Sequence, residues 1–203
     1  QLNPTVGDLE GNYKVAIEAW DQAQKMGSDL IAFTELFITG YNTQDLIKKP
    51  SFFKAAQDQI LKLAKTCKNG PAIAIGGPAY LKGKLYNAYY ILADGNVANI
   101  IMKHHLPNQN VFDEKRIFKE GPPYDYIKYK KLKIGLMICE DMWTDKIAKR
   151  LIKKTVDLFI CINASPYDHE KQNQRYEVAK KIINISKKPI IYVNQIGGQD
   201  ELV

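Results

Sequence analysis

The run Leu132-Lys133-Ile134-Gly135-Leu136-Met137-Ile138-Cys139-Glu140-Asp141-Met142-Trp143 constrains this chain more than any other stretch. Its first half is apolar and branched, the pattern of a strand buried on both faces. Directly after it come a cysteine, two acids and a polar helix start, with Thr144 and Asp145 as capping residues. A thiol placed there stands at the carboxyl end of a strand, the edge at which open α/β sheets keep their sites. The partial positive charge of a helix start predicts that Cys139 is favoured as the thiolate.

The rest of the chain supplies elements to build around that strand. Residues 9–26 carry apolar side chains at helical spacing, and Gly27 is a fitting stop. Residues 30–33 read as a short buried strand ending in Thr34 and Glu35, with Tyr41 in the loop beyond. Residues 52–67 form a second amphipathic helix on whose apolar face Cys67 falls, and residues 72–76 form a third strand. Residues 86–92 and 97–102 flank Asp94-Gly95, a hairpin signal that makes the architecture mixed rather than purely parallel. Lys103 closes the second hairpin strand. The long polar segment 104–123 then predicts a loop that serves a site or a partner.

Beyond Cys139 the pattern gives a helix around residues 146–154, a buried strand over 156–162 containing Cys161, and the turn Asn163-Ala164-Ser165-Pro166. A long helix follows, then a strand over 190–193, and residues 197–203 read as a turn into another strand. With 203 residues and no linker or repeat, one domain over 1–203 is expected. The opening residues predict no signal peptide, and no apolar run is long enough to cross a bilayer. Three unpaired cysteines (Cys67, Cys139, Cys161) fit a reducing cytoplasm better than a disulfide framework. The net charge of +7 comes from scattered lysines, with short clusters at helix ends such as Lys153-Lys154 and Lys187-Lys188. It forms no basic stripe with interleaved aromatics, so nucleic-acid binding is not expected.

Three polar residues end predicted strands and could converge: Glu35, Lys103 and Cys139. A cysteine attacking an amide needs a base to take its proton and return it to the leaving amine. It also needs positive charge or amide donors for the oxyanion. Glutamate, lysine and cysteine can fill these roles without a histidine. Spacing alone leaves Lys103 open as an exposed strand-end residue and Glu35 open as a helix-start acid. The adjacent His104 and His105 point to opposite faces if extended, and His169 is distant in sequence, so no metal site is expected.

Phe33-Thr34-Glu35-Leu36, Lys103-His104-His105-Leu106-Pro107-Asn108 and Met137-Ile138-Cys139-Glu140-Asp141-Met142-Trp143 resemble the three catalytic motifs of the nitrilase, or carbon–nitrogen hydrolase, superfamily. Val111-Phe112-Asp113-Glu114-Lys115-Arg116, Asn163-Ala164-Ser165-Pro166 and the segment from Asn194 to Val203 are similar to the glutaminase domain of glutamine-dependent NAD⁺ synthetases. The resemblance implies an α/β fold, an α-β-β-α sandwich with mixed sheets. Its first strand and the strands beyond Val203 would be missing, so the sandwich is expected to be truncated at both ends.

The same resemblance implies Glu35 as general base, Lys103 near the oxyanion, Cys139 as nucleophile and Glu114 as a second catalytic glutamate. A surface pair of Glu114 with Lys115 or Arg116 remains the alternative. Tyr41, Ser165 and Arg175 would line a glutamine pocket, and the Glu140 amide could donate to the oxyanion. Arg175 could pair with the substrate α-carboxylate or stand exposed on a Lys-rich helix. Glutamine hydrolysis would need no cofactor here. The ATP and magnesium used to amidate nicotinate adenine dinucleotide would belong to a synthetase domain absent from these residues. Homo-oligomers paired through helices near the nucleophile are implied as well. A free-standing amidase, carbamoylase or nitrilase is the alternative within the superfamily, and a basic binding module with a degenerate site is the alternative outside it.

Overall fold

The computed structural model describes residues 1–109 and 111–199. Helix α1 (Leu9–Lys25) starts at Asp8, whose carboxylate accepts the Gly11 amide at 2.8 Å, and it stops before Gly27 at φ +69°. It buries Tyr13, Ala16, Trp20 and Ala23 along one stripe. The Trp20 indole N–H donates to the Pro71 carbonyl at 2.8 Å, so the ring is buried without an orphaned donor. Helix α2 (Pro50–Thr66) opens on a proline, whose missing N–H costs nothing in the first turn, and turns Ala56, Ile60, Leu63 and Ala64 inward. Cys67 caps it and packs in the same core, as its spacing predicts.

Both helices lie on a four-stranded sheet of β1 (Leu30–Ala32), β2 (Ala72–Leu81), β3 (Lys84–Ala93) and β4 (Asn96–Met102), in that order. β1 runs parallel to β2, and β2, β3 and β4 are mutually antiparallel neighbours. The Asp94-Gly95 hairpin is present, both residues at positive φ (52° and 80°) as a twisted two-residue turn requires. A second such turn, Lys82-Gly83 (48° and 74°), joins β2 to β3. β2 therefore runs five residues beyond the Gly76 expected from sequence, because Lys-Gly is not a strong turn signal. The segment after β4 contains one helical turn, α3 (Glu114–Ile117).

The second sheet is β5 (Ile127–Tyr129), β6 (Leu132–Ile138), β7 (Leu158–Asn163) and β8 (Ile190–Asn194). β5 is antiparallel to β6, while β6, β7 and β8 are parallel. β5 is missing from the sequence reading because three residues are too few for a periodic signal. Helices α4 (Glu140–Trp143), α5 (Asp145–Lys153) and α6 (Lys171–Ser186) cover the outer face.

Strand alternation makes the layers. On β6 and β7, Ile134, Leu136, Ile138, Ile160 and Ile162 meet Ala74, Tyr89 and Ile91 of the first sheet, while Met137, Phe159 and Cys161 face the helices. Each buried isoleucine or leucine contributes roughly 1.5–3 kcal/mol relative to exposure. The result is the expected α-β-β-α sandwich with two mixed sheets. The turn expected over 197–203 falls partly on residues 200–203, outside the described residues.

Candidate active site

Glu35 stands in a turn three residues past the end of β1, not at the strand end itself, and is buried. That turn leans on β2: the Ile38 amide donates to the Gly76 carbonyl at 3.2 Å, and Gly76 has no side chain to hold the turn away. Lys103 follows β4 directly, and its amide donates to the Asn87 carbonyl at 2.8 Å, carrying the β3–β4 ladder one residue further. Its ammonium is wholly buried and donates to Glu35 Oε1 at 2.6 Å and to Glu114 Oε1 at 2.8 Å. Glu114, the first residue of α3, also accepts the Tyr41 hydroxyl at 3.0 Å. The surface-pair alternative for Glu114 therefore fails. Arg116 turns outward to Asp113 and Asp45 instead.

The electrostatics follow from this packing. Burial alone would push the Lys103 ammonium down, but the Glu114 and Glu35 carboxylates outweigh it and hold Lys103 well above its ordinary value. Burial, reinforced by the Glu35 charge and opposed by Lys103, pushes the Glu114 carboxyl up to about 7. Tyr41 is held well above its ordinary value by burial and then by the Glu114 and Glu35 charges.

Cys139 lies between β6 and α4 with φ 45° and ψ −101°, a conformation costly for a residue with a Cβ, and its amide donates to the Ile162 carbonyl at 2.8 Å. The helix that follows is a single turn. Its weak end charge does not decide the thiol's state. Burial and then the Glu35 charge push Cys139 well above the ordinary thiol value, and Lys103 offsets this only in part. The thiolate expected from sequence is thus corrected to a resting thiol that needs a base. Glu140 occupies the first position of α4, where backbone amides have no acceptor within the helix.

A cavity of about 360 Å³ is lined by Tyr41, Ser165 and Arg175, together with residues of the 194–199 segment. Arg175 Nη2 donates to Ser165 Oγ at 2.9 Å and to the Pro166 carbonyl at 2.9 Å, so this arginine is neither free nor on an exposed face. Its buried Nε finds no partner among the described residues. Neither Glu140 nor Glu35, Lys103, Glu114 or Cys139 lines this cavity. A second hollow, about 450 Å³, lies between edge strands β1 and β8 and contains none of the candidate reacting groups either.

Two residues of this site escaped the sequence reading. Asn87 is fully buried and donates to Glu35 Oε1 at 2.8 Å. The signal was a polar residue on the inward-facing register of β3, shared with Tyr89 and Ile91. Asp141 is also fully buried and accepts the His104 and His105 amides at 3.1 and 2.8 Å and the Tyr124 hydroxyl at 2.8 Å. Gathering both amides bends the chain, so the two histidine rings meet at 4.6 Å rather than pointing apart. Among the described residues no group of three or more His, Cys, Asp and Glu is placed to hold a metal ion. No helix among them is long and apolar enough to cross a membrane.

Comparison with known proteins places this geometry. A protein of Rhodobacter capsulatus named glutamine-dependent NAD(+) synthetase is 40% identical over 201 residues, covering 99% of this chain and 36% of that protein. The solved glutamine-dependent NAD+ synthetase of Acinetobacter baumannii superposes with a TM-score of 0.94 at 34% identity, covering 100% of this chain and 38% of its own. An amidase of the nitrilase superfamily from Nesterenkonia, at 18% identity and a TM-score of 0.84, shares the fold. The chain thus spans little more than a third of the synthetases it matches. The carbon-nitrogen hydrolase family model matches residues 1–203, and a chain that folds into this sandwich and matches that model throughout belongs to the carbon–nitrogen hydrolase family.

Proposed function

We propose that this chain is a glutamine amidohydrolase domain that supplies ammonia for the ATP-dependent amidation of nicotinate adenine dinucleotide to NAD⁺. The observation that carries the reading is the buried Glu35–Lys103–Glu114 cluster beside a raised Cys139 thiol. Full-length similarity of the chain to part of proteins named glutamine-dependent NAD(+) synthetase supports the substrate and the product's destination.

In this reading Glu35 takes the Cys139 proton as Sγ attacks the carboxamide carbon. Negative charge grows on the amide oxygen, where the Glu140 amide and the Lys103 ammonium would meet it. Lysine carries three donors, and Lys103 commits two of them to carboxylates. Collapse breaks the C–N bond, and Glu35 returns its proton to the departing ammonia. Water, activated by the same carboxylate, then hydrolyses the γ-glutamyl thioester. Glu114 anchors Lys103, and Tyr41, Ser165 and Arg175 surround the amino-acid end of glutamine.

Hydrolysis so described uses groups of the chain itself and water. ATP and magnesium would act in a synthetase region beyond these residues. The exposed Ile183, Ile185 and Tyr176 of α6 favour a homo-oligomer paired through the outer helices, and three free, buried cysteines favour the cytoplasm. The test is reaction of the polypeptide with a chloroketone analogue of glutamine, followed by peptide mapping. Labelling confined to Cys139 and suppressed by excess glutamine is the expected result. Labelling that glutamine leaves unaffected would overturn glutamine as the substrate.

A further inference from the structure

We propose that Asn87 is a positioning residue that fixes which oxygen of Glu35 carries the proton: it occupies Oε1 together with Lys103 and leaves Oε2 as the working base. This rests on the reading of Glu35 as the general base. Asn87 sits on β3 with no exposed surface, on the face that looks toward the second sheet. Its side-chain amide donates to Glu35 Oε1 at 2.8 Å and reaches Glu114 Oε2 at 3.5 Å, and its carbonyl accepts the Lys103 amide. One residue therefore touches the acid, the second acid and the lysine.

The consequence lies in how the two Glu35 oxygens are used. Oε1 accepts from Lys103 Nζ at 2.6 Å and from Asn87 Nδ2 at 2.8 Å. Oε2 accepts only the Ala164 amide, at 3.2 Å, among the described residues. A carboxylate oxygen already holding two short donors is a poor proton acceptor, whereas one with a single long bond keeps a lone pair free. The Cys139 S–H bond accordingly breaks toward Oε2 as the S–C bond forms, and the same oxygen returns the proton as the C–N bond breaks.

Packing alone does not account for Asn87. Its Oδ1 is buried without a partner, a burden that an apolar side chain of the same shape would not carry. The NH₂ is what the site uses. It donates toward two carboxylates without adding charge, so the lysine remains the cation they share.

The test compares Asn87→Leu with wild type in the complete polypeptide that carries this chain, with folding checked by circular dichroism. The groups that act on Glu35 are Lys103 and Glu114 after β4, Tyr41 beyond its own turn, Cys139 after β6, Cys161 on β7 and Tyr192 on β8. All remain in the variant. For glutamine hydrolysis the expected result is a kcat lower by about tenfold or more with KM within about threefold, because orientation and not binding is lost. A folded variant with unchanged kcat, or with its whole loss in KM, overturns the proposal.

Alkylation of Cys139 by iodoacetamide at one fixed pH, followed by peptide mapping, reads the base without substrate and should be slower in Asn87→Leu than in wild type. Wild type that ignores glutamine, with Cys139 alkylation still slowed by Asn87→Leu, would sink the glutamine reading and keep this one. Should Asn87→Leu not fold, the smaller Asn87→Ser carries the same measurements to the same two outcomes.

Discussion

Lys103 Nζ donates to Glu35 Oε1 at 2.6 Å although the residues are 68 positions apart and both side chains are buried. An ion pair removed from water is tolerable only while each charge keeps its partner. Lys103→Met strands Glu35 and Glu114 together in the interior. It is expected to lower unfolding free energy by about 3–5 kcal/mol and to abolish amide hydrolysis. Adding Glu35→Gln and Glu114→Gln removes the stranded charges, so the triple variant should recover most of the stability and none of the activity. Denaturant titration of the three proteins checks this, and a triple variant no more stable than Lys103→Met would show that the charges are not the cause.

Glu114 makes stability depend on pH in a defined direction. Its carboxyl is raised from 4.5 to about 7 in the folded chain, chiefly by burial. The folded state then binds more protons than the unfolded state between those values. The contribution is fully present below about pH 4.5 and is lost as pH rises through about 7. Glu114→Gln cannot titrate. The difference in Tm, variant minus wild type, should therefore climb across that window and flatten above it, as thermal melts in a buffer series would reveal.

The raised Cys139 thiol predicts sluggish chemistry in the resting state. Thiolate is the reactive form, and burial followed by the Glu35 charge disfavours it. Alkylation of Cys139 by iodoacetamide should still be accelerating at pH 9, with no plateau below it. A plateau near neutrality in mass-spectrometric time courses would mean that the helix start, not burial, governs the thiol.

Asp141 ties the segment after Lys103 to the helix after Cys139, and so joins the two sheets at the site. Asp141→Ala leaves the His104 and His105 amides and the Tyr124 hydroxyl without their acceptor. It is expected to cost about 2–4 kcal/mol and to lower kcat. Tyr124→Phe removes one hydrogen bond, costs about 1 kcal/mol and leaves kcat within about twofold. Equal effects from the two variants, in parallel denaturation and rate measurements, would deny Asp141 a special place.

What the sequence made legible and what it hid divide along physical lines. β6, both flanking helices of the first sheet and the Asp94-Gly95 turn carry strong local signals, and the structure has them within a few residues. Glu35, Lys103 and Cys139 drew attention as polar residues after apolar runs, although Glu35 lies in a turn beyond its strand, and their roles came from the resemblance of the motifs around them. Asn87 and Asp141 were not singled out, since each acts on groups distant in sequence, Glu35 52 residues from Asn87 and His105 36 residues from Asp141, and only the folded chain brings those together. The thiol's state was misread for a related reason. A helix start is local and readable, whereas burial among distant acids is not.

Gly76 carries the last prediction, because it shows how the site depends on a residue with no chemistry. A Cβ built there would lie 2.8 Å from the Glu35 carbonyl carbon, and Leu36 N and Thr34 O would be closer still. These are backbone atoms and cannot swing aside as a side-chain tip can. Gly76→Ala must therefore push the Glu35 turn off β2, away from Lys103 and Asn87. A shift of about 1 Å at a reacting group can cost on the order of a hundredfold in rate, so kcat should fall by that order. Gly83→Ala is the control: Gly83 lies in the turn that joins β2 to β3, at φ +74° with nothing within 4 Å of an added Cβ. Strain at positive φ should cost it about 1 kcal/mol and leave kcat unchanged. Steady-state rates and melting curves for both variants decide the matter, and a fully active, folded Gly76→Ala would mean that Glu35 tolerates displacement from its two donors.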